Sequence, residues 1–86
     1  MFSKVLRNDK EVFQVVLWVK DGYPDEVHHD LDESFMILEG ECDCYVEDNV
    51  ISLGPGDFFQ VPLDVHHDVR VTRGPVLAII QRLKTA

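Results

Sequence analysis

The sequence predicts one all-β domain, an antiparallel sandwich or small barrel. Three observations carry that prediction. No helical period runs anywhere along the chain; short stretches rich in Val, Ile and Phe are divided by Gly, Pro, Asn and Asp; and 86 residues leave no room for helices between them. Residues 1–86 are therefore read as a single domain, with no linker, low-complexity tract or internal repeat.

The elements follow in order. Val12–Lys20 is a β-rich run that stops at Asp21-Gly22. Ser34–Glu39 ends at Gly40, and Glu41–Glu47 ends at Asp48-Asn49. Val50–Leu53 runs into Gly54-Pro55-Gly56-Asp57, and Phe58–Val61 stops at Pro62. His66–Thr72 ends at Arg73-Gly74-Pro75, and Val76–Leu83 closes the chain, so seven or eight short strands are expected. Within them, a period of two separates an inward face from an outward one. Val65, His67, Val69 and Val71 share one side, opposite His66, Asp68, Arg70 and Thr72. Cys42, Cys44 and Val46 oppose Asp43, Tyr45 and Glu47. Glu33 falls on the same face as Phe35 and Ile37. One histidine and one glutamate thus lie on faces meant for the core, where an ionisable group is costly unless paired or bound to a metal.

Composition narrows the function. Hydrophobic residues make up 45% and charged residues 28%, as in a globular protein, and the formal net charge is −8. Such a charge argues against nucleic acid or an anionic membrane surface as partner. No Lys or Arg occurs between Asp21 and Val69, where 14 of the 16 acids lie, giving a solvated acidic surface or a field that gathers cations. The N-terminus shows no signal-peptide pattern, and Cys42 and Cys44, two apart on one strand, are poorly placed to bridge each other. Reduced thiols and a cytoplasmic location are expected.

All four histidines occur in two doublets, His28-His29 and His66-His67, and Glu33 follows the first. Two imidazoles and a carboxylate from separate strands would form a three-ligand site with open positions, suited to non-haem Fe and usable by Mn, Ni, Cu or Zn. The alternative is a surface doublet and a satisfied core histidine. His66 is read as a surface residue, and the cysteines as small apolar packing.

These residues also fall into a known pattern. Gly22 is followed by five residues and His28, and Glu33 by six residues and Gly40. Further on, Gly56, Pro62 and His67 keep the spacing of a second motif, and 15 residues separate Gly40 from Gly56. In these two motifs, which together span nearly the whole chain, the sequence resembles the cupins, small jelly-roll barrels of the double-stranded β-helix type. It departs from them at Asp64, where the second motif has Gly, at Val71, where it has Asn, and in its broken His-x-His pair. The resemblance implies a divalent metal held by Glu33, His67 and His28 or His29, with Glu26, Asp30 or water completing the shell. It further implies a small polar or carboxylate-bearing ligand in the barrel mouth, near Phe35, Phe59, Gln60 and Val61. The chemistry implied is that of a metal-dependent oxygenase, isomerase or lyase, or else of a non-catalytic, metal-free binding module or sensor. A chain this short buries only roughly 60–65% of its unfolded surface, so a homodimer is expected.

Overall fold

The computed structural model describes residues 2–26, 31–62 and 64–84. Its elements are β1 (Phe2–Asn8), β2 (Val12–Val19), β3 (Gly22–Glu26), β4 (Leu31–Val46), β5 (Asn49–Leu53), β6 (Phe58–Val61) and β7 (His67–Lys84), with no helix among the described residues. The all-β expectation holds. The strand count is reached differently, because β4 and β7 each run through a point that reads as a break in the sequence, while β1 and β3 are strands the turn signals did not mark.

The two long strands explain the architecture. They pair antiparallel from Leu31↔Lys84 to Val46↔His67, with register shifts around Glu39 and Glu41. Gly40 sits at that irregularity with φ +83, and a Cβ there would lie 2.6 Å from the carbonyl oxygen of Pro75 and 2.8 Å from that of Arg73. Only glycine satisfies both the left-handed backbone and the close approach. Gly40 therefore does not end a strand; facing Gly74-Pro75, it lets β4 and β7 bend together. The Arg73 guanidinium donates to Glu41 at 3.2 Å across this corner.

The bend divides the barrel into two leaves. In the first, β2 pairs with the C-terminal half of β7, which pairs with the N-terminal half of β4; β1 and β6 flank them. In the second, the N-terminal half of β7 lies between β3 and the C-terminal half of β4, with β5 outermost. The expected alternation then fills the space between the leaves. Val15, Leu17, Val19, Phe35, Ile37, Val76, Ala78 and Ile80 point in from the first leaf, and Cys42, Cys44, Val46 and Leu53 from the second. Ile37 and Cys44, at 1% and 0% exposed, mark the centre.

Candidate functional site

A cavity of about 40 Å³ lies between the leaves, its wall running from Val19, Cys42 and Val76 near the Gly40 corner to Glu33, His67 and Arg82. Its wall is mostly aliphatic and aromatic, from Leu17, Phe35, Ile37, Val69, Val71 and Ile80 among others, with the Cys42 thiol and three strongly polar side chains, Glu33, His67 and Arg82. Their convergence follows from the ladder. Glu33 lies near the start of β4, Arg82 near the end of β7, and His67 at the start of β7, so each is as far from the corner as its leaf allows.

Glu33 and His67 are buried, each 5% exposed, as the alternation of their strands requires. Glu33 and Arg82 are directly opposed across β4 and β7, on the face that carries Phe35 and Ile80. The Arg82 Nε–H donates to Glu33 Oε2 at 2.6 Å. This pairing offsets much of the cost of burying the carboxylate. The terminal nitrogens of Arg82 make no hydrogen bond among the described residues, and its side chain is 34% exposed. His67 Nδ1 lies 3.5 Å from the Val65 carbonyl oxygen.

The other expected site residues divide. His28 and His29, with Val27 and Asp30, lie outside the described residues. Phe35 lines the cavity. Phe59 does not; it packs on Phe35 with ring centroids 5.5 Å apart. Val61 is buried beside Glu33 in the β4–β6 ladder and is likewise off the cavity wall. Gln60 corrects the expectation outright: it alternates with the two, faces out opposite Ser34, and is exposed. His66 is exposed, as expected. Arg82 is the residue sequence reasoning missed. Its signal was available, since Val76, Ala78, Ile80 and Arg82 continue one inward face.

As donors for a divalent metal, Glu33 and His67 supply one carboxylate and one imidazole to one cavity. Among the described residues no group of three His, Cys, Asp or Glu side chains gathers to hold an ion. Arg82, moreover, already occupies one oxygen of the carboxylate. Glu33 and His67 are the two potential donors that the described residues bring to this cavity; His28 and His29, expected from the sequence to add a third, lie outside them.

The cysteines are core residues. Burial pushes the Cys42 thiol up to about 11, with a smaller effect of the Asp43 charge. It pushes Cys44 up to about 12, helped by Cys42 and Asp68. Both are free thiols and stay protonated at neutral pH.

Comparison with known proteins matches this architecture. KdgF from a Halomonas species superposes with a TM-score of 0.87 at 19% identity, over 98% of this chain and 80% of that one. BH2720 from Bacillus halodurans gives 0.86 at 18% identity, over 99% of this chain and 71% of that one. The cupin domain of Cnp3 from Schizosaccharomyces pombe gives 0.84 at 16% identity, over 98% and 64%. At these identities the likeness is one of fold. A search of curated protein sequences gave no match. The family model described as Cupin domain matches residues 13–80, and the chain belongs to that family.

Proposed function

We propose that this chain is a small stand-alone cupin that takes a small polar or carboxylate-bearing molecule at the mouth of its barrel. A divalent metal (Fe, Mn, Ni, Cu or Zn) is held there by Glu33, His67 and one of His28 and His29. The observation that carries this reading is the placement of Glu33 and His67, both buried, on the wall of one largely apolar cavity. Buried ionisable groups gathered in a cavity are commoner at functional sites than in a plain core. When bound, the metal would act as Lewis acid and template for the ligand. The chain's own residues hold the site: His67 supplies an imidazole on the cavity wall, Phe35 and Val69 exclude water, and Arg82 fixes the Glu33 carboxylate.

A second reading, a metal-free, non-catalytic binding module, is favoured by the Glu33–Arg82 pair, which already gives the carboxylate a cation. Elemental analysis of the purified protein beside Glu33→Ala and His67→Ala separates the two. Near one metal per chain, lost in both variants, supports the metal centre. No metal after a soak with Mn, Fe, Ni and Zn leaves the binding module.

The same proposal includes a homodimer, supported by the outward face of the first leaf. Val16, Ile79, Met36 and Phe58 form one row across four strands, with Trp18 and Leu77 in the next. Met36, Leu38 and Phe58 are exposed. A second copy would cover a contiguous apolar surface of this kind.

A further inference from the structure

We propose that Arg82 is the recognition residue of the cavity and that its ligand is a short aliphatic carboxylate, or the carboxylate end of a larger molecule. This rests on the reading of the cavity as a ligand site, but not on the metal. Four observations carry it.

The cavity wall is almost wholly aliphatic and aromatic, so the part of the ligand it encloses is apolar. Its volume of about 40 Å³ admits three or four water-sized groups, the size of a chain of a few carbons. Arg82, the one arginine or lysine on that wall among the described residues, keeps about a third of its side chain (34%) in solvent and so stands at the rim. Lastly, of the Arg82 donors it is Nε–H that Glu33 takes, and the terminal nitrogens make no hydrogen bond among the described residues.

The chemistry follows from the shape of a guanidinium. It carries five N–H donors in a planar fork, and the outer edge matches the two oxygens of a carboxylate in a bidentate pair. With Nε engaged, the plane of the group is set by Glu33, so the edge is oriented before ligand arrives and less rotamer freedom is lost on binding. Glu33 is in this scheme a positioning residue and Arg82 the binding residue. An amine ligand would meet the guanidinium at the rim, and a wholly apolar one would leave it unused.

The test uses butyrate and its neutral isostere butyramide, titrated with a chelator present into the full chain carrying 13C-labelled methyl groups, and read at Val69, Val71 and Ile80. The expected result is butyrate binding on the order of tenfold more tightly than butyramide. In Arg82→Lys the preference shrinks, because an ammonium lacks the planar fork. Arg82→Gln alone would strand a buried carboxylate, so the decisive protein is the double variant Glu33→Gln/Arg82→Gln, which keeps the pair neutral. It is expected to bind the two probes alike. Glu33→Gln alone keeps the guanidinium but frees its plane, and is expected to bring the ratio of butyrate to butyramide affinity down toward that of Arg82→Lys, a ratio that a purely structural role would not move. Equal binding of the two probes by the parent, or a preference that survives in the double variant, overturns the assignment of Arg82 and leaves the cavity reading standing. Cavity methyls that respond to neither probe overturn both.

Discussion

The outward faces of the two leaves are built on opposite rules. On the second leaf they are mostly polar: Ser52 donates to Asp43 at 2.8 Å, and the Arg70 guanidinium lies 4.4 Å over the Tyr45 ring. Arg70 also reaches Asp68 at 3.6 Å. The first leaf carries Val16, Trp18, Leu77, Ile79, Met36, Leu38 and Phe58 outward, relieved by a polar row in which Gln14 donates to Gln81 at 2.7 Å. An antiparallel sheet with one face in solvent alternates apolar and polar residues. The second leaf obeys that rule, and the first reads as a sheet covered on both sides.

The sharpest way to break the comparison is to break what joins the leaves. Gly40→Ala places a Cβ against two backbone carbonyl oxygens in a left-handed residue. A loss of about 3 kcal/mol is expected, or roughly 10–20 °C in Tm by calorimetry. Gly56, at φ +89 with nothing near its missing Cβ, bears only the backbone cost, and Gly56→Ala should lose about 1 kcal/mol.

Next in size is the test of the faces themselves. Ile79→Lys puts a charge at the centre of the first leaf's outward row and should weaken self-association on the order of a hundredfold. Light scattering at micromolar protein should move from twice 9.9 kDa toward 9.9 kDa. Asp43→Lys, on the second leaf, should leave the mass unchanged. A parent that is monomeric throughout removes the reason for the asymmetry.

A smaller effect sharpens the view of the second leaf's inward face. A thiol whose native value lies above its unfolded 9.0 favours the folded state while protonated. The contribution of Cys44 is therefore complete below pH 9 and is lost as pH rises from 9 toward 12. Urea melts at pH 7 and 10 should show wild type losing more stability over that interval than Cys44→Ala. At pH 8 the native protein should react slowly with a thiol reagent and the unfolded chain quickly.

The smallest effect lies in the β1–β2 turn. The backbone N–H of Glu11, then Arg7 and the N–H of Val12, hold the Asp9 carboxylate down at about 2. Its support for the turn is present above pH 4 and lost as pH falls toward 2. Asp9→Asn should flatten that part of the acid titration.

These regions also show what a sequence makes legible. Val12–Val19 and Phe58–Val61 were readable because each has one buried face and ends at strong turn residues. β1 was not, because all seven of its residues are exposed and no alternation marks it. Gly40 and Gly74-Pro75 look like chain breaks because glycine and proline punctuate locally, whereas the tertiary pairing of β4 with β7 uses them as a corner. In the site, Glu33 and His67 stood out as ionisable residues on apolar faces. Arg82 was marked by the alternation of Val76, Ala78 and Ile80 before it, but only the ladder places it against Glu33. Gln60, expected near the ligand as a polar side chain, is turned outward by the period of two.

The corner has a further consequence, for how the molecule comes apart. Because β4 and β7 each belong to both leaves, neither leaf can open without tearing the ladder that runs from Leu31↔Lys84 to Val46↔His67. The barrel should melt as one cooperative unit, and the amides of these two strands should exchange with solvent only through global unfolding. Since that ladder joins the middle of the chain to its far end, closure has to precede most of the stabilising contacts, and folding should be slow for so short a protein.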